Sequence, residues 1–245
     1  MVLVTVDLHT HILPGLDDGA ETFRESLQML KIATRNGTTD IVLTPHYLTK
    51  DMRAQKTSKD DIIRVFNAFR EAVAERYPEL RLYLGAEVFA VSNIEDVIAD
   101  GQMITINNTK YVLIEFSFND FAARAIEVVD KLTKAGYIPI IAHPERYSFI
   151  QREPGNVIEF LERGAVLQVN SSSLAGHNGT IAQDIALSFL ENQLAAIVSS
   201  DCHSTYQRNP DLSETFAYVS SNFSIEYAED LFYNNPLAVI NGKRI

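Results

Sequence analysis

The chain has 245 residues, 46% of them hydrophobic, and a net charge of -11, a composition that suits one domain with a sizeable buried core. No apolar run is long enough to span a membrane, and we expect no secretion signal. A single cysteine excludes internal disulfides, and the acidic balance disfavours binding to a nucleic-acid backbone. We therefore expect one cytoplasmic domain over residues 1–245, with neither membrane insertion nor a nucleic-acid partner.

Apolar runs alternate with amphipathic segments along the chain. Strands are predicted over Leu3–Val6, Asp40–Leu43, Leu80–Leu84, Tyr111–Glu115, Tyr137–Ala142, Ala165–Val169 and Ala195–Ser199. Helices are predicted over Glu21–Asn36, Ser58–Tyr77, Ala122–Ala135, Asn156–Arg163 and Thr180–Asn192. Apolar strands that alternate with helices are typical of a parallel sheet covered on both faces. Seven such units in this length predict an α/β fold with a closed or nearly closed barrel.

Histidines and carboxylates follow most of the predicted strands. The first strand runs into His9 and His11, which share one face because side chains two positions apart in a strand point the same way. The others are His46, Glu87, Glu115, His143, Asp201 and His203, each at or just after a strand end. The carboxyl ends of parallel strands in a barrel converge on one mouth. The sequence therefore predicts that these side chains meet there.

Such a mouth is suited to metal ions. Carboxylates buried together repel one another, and desolvation penalises each charge, so bound cations would remove the cost. A mixture of imidazole and carboxylate ligands without thiolate suits Mn, Fe, Zn or Mg. The sequence alone therefore predicts a divalent metal site.

Six motifs, in order along nearly the whole chain, carry a family resemblance. They are HTHILPGLDDG at 9–19, TPH at 44–46, GAE at 85–87, LIEF at 113–116, IAHPER at 141–146 and SDCH at 200–203. The pattern resembles the polymerase and histidinol phosphatase (PHP) superfamily, and within it the bacterial manganese-dependent protein-tyrosine phosphatases found with capsule and exopolysaccharide genes. The resemblance implies a distorted (β/α)7 barrel, the PHP fold, that holds three metal ions, with Mn²⁺ favoured and Fe, Zn or Mg as alternatives.

The resemblance also implies a role for each site residue. The first ion would be held by His9, His11, Glu87 and Asp201, the second by Glu87, Glu115 and His143, and the third by Asp18, His46 and His203. Asp17 is an alternative to Asp18. Arg146 and Arg208 match arginines that approach the phosphate. His203 or His46 could protonate the leaving oxygen.

The implied function is hydrolysis of phosphotyrosine on a protein, such as the tail of a bacterial tyrosine kinase that regulates capsule or exopolysaccharide synthesis. Clustered divalent ions generate hydroxide near neutral pH, so no covalent intermediate is required. A tyrosine phenol, with a pKa of ~10, leaves more readily than an alkyl alcohol. The alternatives are a small-molecule phosphomonoesterase, such as one acting on histidinol phosphate, and a phosphodiesterase or nuclease.

Cys202 and Arg208 have the Cys-x5-Arg spacing of the thiol-dependent tyrosine phosphatases. The intervening residues contain no glycine, and the adjacent Asp201 would raise the pKa of the thiol. We therefore predict a structural role for Cys202. We also expect Glu145 to be a solvated neighbour of Arg146.

Overall fold

The computed structural model describes residues 4–49 and 57–245, and every structural statement below refers to them. The strands are β1 (Thr5–Asp7), β2 (Thr38–Leu43), β3 (His46–Tyr47), β4 (Arg81–Leu84), β5 (Glu87–Phe89), β6 (Tyr111–Glu115), β7 (Ile138–Ala142), β8 (Val166–Asn170) and β9 (Ala195–Ser199). All their pairings are parallel. They form one sheet ordered β1-β2-β4 and another ordered β3-β5-β6-β7-β8-β9. The predicted α/β class with parallel strands is confirmed.

The α-helices lie between and after the strands. They are α1 (Phe23–Arg35), α2 (Lys59–Ala74), α3 (Ile94–Ala99), α4 (Ala122–Lys134), α5 (Ser148–Arg152), α6 (Val157–Glu162), α7 (Ser171–Leu174), α8 (Thr180–Glu191), α9 (Ser213–Asn222), α10 (Ile225–Glu229) and α11 (Asn235–Ile240). None of the described helices is both long and apolar enough to cross a membrane.

Helix starts follow from local sequence. The Thr22 hydroxyl accepts a hydrogen bond from the Glu25 backbone N–H at the start of α1, and Ser58 and Asp61 cap each other's backbone at the start of α2. All five predicted helices and seven predicted strands have counterparts in the structure. Of the first predicted strand, Leu3 lies outside the described residues.

Two strand breaks separate the sheets. Thr44 and Pro45 interrupt the chain between β2 and β3, and Gly85 and Ala86 interrupt it between β4 and β5. Pro45 has no N–H to donate to a ladder. A Cβ on Gly85 would lie 2.8 Å from Ile106 Cδ1, so the backbone approaches its neighbours closely there. The result is two ladders, with an isolated parallel bridge between Thr10 and Cys202; the closed barrel stays a prediction.

The strands are buried on both faces. Along β6, Val112 and Ile114 belong to the large core that also contains the apolar side of α4, whereas Tyr111 and Leu113 belong to a second core. The apolar end of α11 packs into that second core. Burial on both faces explains why these strands are mostly apolar.

The loop after β1 folds tightly against His11. The Ala20 N–H donates to the His11 carbonyl at 3.0 Å, and the Gly19 N–H donates to Asp17 Oδ1 at 2.9 Å. A Cβ on Gly19 would lie 2.1 Å from the His11 carbonyl oxygen and 2.5 Å from His11 Cβ. Only glycine fits at this position without movement of the loop.

We expect Gly19→Ala to lower the free energy of unfolding by about 1–3 kcal/mol, because the added methyl must displace backbone. Urea unfolding of the metal-free protein measures this change. The control is Gly155→Ala, where a Cβ meets nothing within 4 Å. Equal stabilities for the two variants would contradict the predicted clash.

Candidate metal centre

The predicted metal residues are brought together, most of them at or just after the carboxyl ends of strands and two, His46 and Glu87, at the starts of the short strands β3 and β5. Two backbone hydrogen bonds tie the segment after β1 to the segment after β9. Asp201 N–H donates to the His9 carbonyl at 2.9 Å, and His11 N–H donates to the Cys202 carbonyl at 3.0 Å. His46 and Glu87 are direct neighbours in the pairing of β3 with β5. Strand pairing therefore fixes which side chains face one another.

Four side-chain atoms surround one point. The His9 and His11 Nε2 atoms lie 3.2 Å apart, and each lies 3.3 Å from Glu87 Oε2. Asp201 Oδ1 lies 3.5 Å from His9 Nε2 and 3.4 Å from His11 Nε2. Ligand atoms bound ~2.1 Å from one cation at angles of about 90–110° lie roughly 3.0–3.4 Å apart. The buried donors of His9, His11 and Asp201 therefore fit one metal ion, and Glu87 Oε2 lies close enough to both imidazole nitrogens to join them.

The far nitrogens of both histidines are occupied. His9 Nδ1 lies 2.9 Å from Gln168 Oε1, and His11 Nδ1 lies 2.7 Å from Asp17 Oδ2. Since these oxygens can only accept, each Nδ1 carries the proton. The charges of Asp17, Glu87 and Asp201 raise the pKa of both histidines in the metal-free protein. Once Nε2 loses its proton, each histidine would present a lone pair to the shared point, the usual arrangement behind metal-binding histidines.

Glu87 extends the cluster toward a second group. His143 Nε2 lies 2.9 Å from Glu87 Oε1 and 3.8 Å from Glu115 Oε1. His46 Nδ1 lies 2.9 Å from Glu87 Oε2 and 3.7 Å from Glu115 Oε2. Burial and the charge of Glu87 raise the pKa of Glu115 to about 8. Glu87 Oε1 thus faces His143, whereas Oε2 faces His9, His11 and His46, so the carboxylate could bridge two ions.

A third group lies nearer the surface. Asp18 Oδ1 lies 3.3 Å from His203 Nε2 and 3.4 Å from His46 Nε2. Asp17 instead accepts hydrogen bonds from His11, from the Gly19 N–H and from the His46 N–H. The geometry therefore favours Asp18 over Asp17 as the ligand.

Several polar atoms of the cluster are buried without a hydrogen-bond partner among the described residues. They are His46 Nδ1, Glu87 Oε2, His143 Nδ1 and His203 Nε2. Buried polar groups left unpaired are costly, and each needs an explanation. A cation bound between imidazole nitrogens and carboxylate oxygens would supply one for Glu87 Oε2 and the nitrogens facing it. The donor set therefore fits divalent metal ions.

His143 and Asp201 both have left-handed backbone. Their φ angles are 34° and 51°. His143 directly follows the end of β7, and Asp201 lies two residues after the end of β9. Such a conformation costs a residue other than glycine about 1–3 kcal/mol and is concentrated at functional sites. Here it turns the chain sharply at the point where the side chain joins the cluster.

Both predicted arginines reach the cluster through Asp201. Arg208 Nη2 lies 2.7 Å from Asp201 Oδ1, and Arg146 Nη1 lies 3.4 Å from Asp201 Oδ2. The Arg208 carbonyl accepts the N–H groups of His203 and Ser204, which closes the loop after Asp201. Both guanidinium groups are partly exposed and lie at the edge of the site.

Residues 5–241 match the family model described as capsular polysaccharide synthesis, CpsB/CapC. The chain belongs to the CpsB/CapC family. It is 33% identical over 236 residues to the tyrosine-protein phosphatase YwqE of Bacillus subtilis, covering 96% of this chain and 92% of the relative. It is 29% identical to the tyrosine-protein phosphatase CpsB of Streptococcus agalactiae, covering 98% and 100%.

Solved structures agree with this assignment. A chain from the crystal structures of B. subtilis YwqE and Streptococcus pneumoniae CpsB, described as metal-dependent tyrosine phosphatases, superposes with a TM-score of 0.89 at 30% identity. The match covers 98% of this chain and 96% of that chain. An organophosphorus hydrolase from Deinococcus radiodurans superposes with a TM-score of 0.62 at 12% identity, over 96% of this chain and 92% of that chain. At this low identity the match shows the fold alone.

In this CpsB/CapC chain the cysteine lies next to the candidate metal centre, between Asp201 and His203. Cys202 is fully buried, and its N–H donates to Ser200 Oγ. Burial and the nearby charge of Asp7 raise the pKa of the thiol to about 12. A buried, protonated thiol is a poor nucleophile, which is consistent with the predicted structural role.

The expectation of a solvated Glu145 is wrong. Glu145 is fully buried, and its Oε1 accepts hydrogen bonds from the Asn170 N–H and from Ser173 Oγ, the latter at 2.6 Å. The short 3₁₀ turn Pro144–Arg146 places successive side chains on different sides of the chain. Arg146 therefore reaches the site edge while Glu145 points into the protein.

A polar relay behind the cluster was missed in the sequence. Gln168 Nε2 donates to Asn170 Oδ1, and Asn170 Nδ2 donates to Asp201 Oδ2 at 2.6 Å. With the contact to His9, this relay connects two of the four inner ligands. The available signal was two amides spaced two apart in an otherwise apolar strand, which puts both on one face.

We expect Gln168→Leu to weaken Mn²⁺ binding by about 10–100-fold, because His9 loses the acceptor that fixes its ring and tautomer. Metal titration against a chelator measures the affinity. Gln183→Leu is the control, since the Gln183 amide donates to the Leu174 carbonyl outside the cluster. Equal affinities in both variants would contradict the orienting role.

We expect metal binding to release protons. Burial alone would lower the pKa of His46, but the charge of Glu87 outweighs it and raises the pKa to about 9. His46 therefore holds a proton in the metal-free protein below that pH, whereas a metal ligand must be unprotonated. Affinity for Mn²⁺ should accordingly rise as the pH increases toward about 9.

Calorimetric titration in buffers of different ionisation enthalpy measures this release. His46→Gln should reduce the number of protons released. His177→Gln should not, because His177 is not among the histidines and carboxylates that cluster at the candidate metal centre. Binding without proton uptake by the buffer at neutral pH would disprove the assignment.

Proposed function

We propose that this chain is a metal-dependent protein-tyrosine phosphatase that hydrolyses phosphotyrosine, with Mn²⁺ as the favoured metal and Fe, Zn or Mg as alternatives. The observation that carries the proposal is the set of four donor atoms from His9, His11, Glu87 and Asp201, separated by 3.2–3.5 Å in the five distances given above. Relatives named tyrosine-protein phosphatases support the substrate class.

The proposed ligand sets are those that the family resemblance implies. His9, His11, Glu87 and Asp201 would hold the first ion, Glu87, Glu115 and His143 the second, and Asp18, His46 and His203 the third. Bound divalent cations would lower the pKa of water and neutralise phosphoryl oxygens. Imidazole and carboxylate donors accept several first-row metals, so the donor set supports manganese without selecting it.

Arg146 and Arg208 would bind the phosphoryl oxygens. Asp201 accepts from one nitrogen of each guanidinium, which leaves further N–H groups of both for phosphate. The planar guanidinium matches the spacing of phosphoryl oxygens, and two positive groups counter the charge that makes a phosphate monoester resist attack. Phosphate would thus be held at the exposed edge of the metal cluster.

Proton donation to the leaving oxygen would be weak. Burial and repulsion by His11 lower the pKa of His203 to about 4, so at neutral pH its imidazole is a neutral group and a weak acid. A phenol with a pKa of ~10 needs less protonation than an alkyl alcohol does. A weak proton donor at His203 therefore favours hydrolysis of aryl phosphates over phosphoserine. It also disfavours histidinol phosphate, the substrate of the second candidate function.

The proposal extends to partner and fold. The substrate would be a phosphorylated tail of a bacterial tyrosine kinase in capsule or exopolysaccharide synthesis, encountered in the cytoplasm; the capsular polysaccharide description of the family supports this. We also propose a distorted (β/α)7 barrel, in which β3 continues β2 and β5 continues β4. The hydrogen bond from Glu87 N–H to the Pro45 carbonyl across both breaks supports that continuity.

Metal removal tests the activity. Chelator-stripped protein should lose at least roughly a hundredfold of its turnover of a phosphotyrosine peptide, equivalent to ~2.7 kcal/mol of barrier, and regain it with Mn²⁺. Phosphoserine peptide and histidinol phosphate are measured beside it. Full activity after verified metal removal would refute metal dependence, and faster turnover of histidinol phosphate would favour the second candidate.

Two variants separate metal from thiol chemistry in the same assay. His143→Ala should abolish most turnover, because it removes a proposed ligand. Cys202→Ala should retain turnover, because the thiol is buried. Loss of activity in Cys202→Ala with its metal content intact would contradict the proposal.

A further inference from the structure

A large aromatic side chain stands at the edge of the metal cluster. The Phe118 ring centroid lies 4.6 Å from Arg146 Cζ, with the guanidinium over the ring, and 5.9 Å from the centroid of the His143 ring. Yet 41% of Phe118 remains exposed. An aromatic ring therefore touches both a proposed phosphate-binding arginine and a proposed metal ligand, and still presents surface to solvent.

The backbone holds Phe118 in this place. Its carbonyl accepts the Ser148 N–H at 2.8 Å. The ring also lies 6.2 Å from that of Tyr147, whose hydroxyl donates to the Ala142 carbonyl and accepts the Phe116 N–H. These contacts fix the position of the ring, and a ring already held in place loses less conformational freedom when it binds a ligand.

Open space adjoins the ring. A cavity of 170 Å³ is lined by Phe118, Arg146, Gln151 and Asn178. Its wall combines an aromatic ring with a cation that can hold phosphate, and the two are in direct contact. This pairing suits a ligand whose aromatic ring is attached directly to a phosphate.

We propose that Phe118 binds the phenyl ring of the substrate and so selects aryl over alkyl phosphates, an inference that rests on the proposed phosphatase function. Aromatic rings attract each other in offset or edge-to-face pairs with centroids about 4.5–7 Å apart, beyond the effect of buried area. A saturated ring of similar size lacks the quadrupole that makes this contact. Selectivity would thus arise from binding in addition to leaving-group chemistry.

Other exposed aromatic residues do not have this position. Phe121, in the same loop and 72% exposed, lines a different cavity with Phe149 and Arg152. Tyr206 is 81% exposed, and its ring contacts no other ring or cation among residues 4–49 and 57–245. Phe121 therefore provides a matched control. Tyr206, two residues before Arg208, is the other aromatic residue that could bind the substrate ring, and the test includes it.

The test uses metal-loaded full-length protein. Inhibition constants are measured for phenylphosphonate, cyclohexylphosphonate and inorganic phosphate against hydrolysis of a phosphotyrosine peptide. The variants are Phe118→Leu, Phe118→Tyr, Phe121→Leu and Tyr206→Leu. Phosphonates are not hydrolysed, so differences between them report binding alone.

Phe118→Leu should raise the inhibition constant of phenylphosphonate by about three- to tenfold. Cyclohexylphosphonate and phosphate should change by less than about twofold, and Phe118→Tyr should restore the preference for the phenyl compound. Phe121→Leu should resemble the unmodified protein. Equal weakening of all three inhibitors by Phe118→Leu would mean that Phe118 only orients Arg146. Loss of the phenyl preference in Tyr206→Leu instead would place the ring site at Tyr206. Either result overturns the inference.

The outcomes separate this inference from the function on which it depends. If the unmodified, metal-loaded protein does not hydrolyse the phosphotyrosine peptide, the proposed function fails. If it does, but Phe118→Leu retains the phenyl preference, only the ring-binding role fails. Should Phe118→Leu not fold, Phe118→Tyr and a Phe118→Met variant carry the same comparison.

Discussion

The structure depends on the close approach of His9, His11, Glu87 and Asp201 at the centre of the cluster. Two buried carboxylates, each within 3.5 Å of the same two imidazoles, would be expensive without compensating charge. Protons supply part of that charge in the metal-free protein, as the raised pKa of His46 beside Glu87 shows. Divalent ions would replace those protons, so folding, metal affinity and pH are linked at this point.

Backbone features make this approach possible. The breaks at Pro45 and Gly85 divide the sheet yet keep His46 and Glu87 paired. Left-handed backbone at His143 and Asp201 turns the segments after β7 and β9 toward the centre of the cluster. Hydrogen bonds from Asp17 and Gln168 then fix the inner histidines. Rigid strands thus carry the ligands, and the conformational cost is confined to a few residues at their ends.

The edge of the cluster has a different chemistry from its centre. Arg146 and Arg208 share Asp201 as an acceptor, so the groups proposed to bind phosphate are held by a proposed metal ligand. Phe118 adds an aromatic surface on Arg146. The arginines and the neighbouring ring would then recognise the two parts of an aryl phosphate separately.

The sequence by itself determined the alternation of strands and helices and placed the histidines and carboxylates at strand ends, because apolar periodicity and position along a strand are local properties. It did not indicate the two- and three-residue strands β3 and β5, which are too short to show a period, or the C-terminal helices. The family resemblance favoured Asp18 as the ligand, but only the tertiary structure showed that Asp17 orients His11, that Glu145 is buried, and that Gln168 supports His9. Adjacent carboxylates look alike in a sequence; which one meets a histidine depends on contacts between segments far apart in the chain, and those exist only once the sheets have formed.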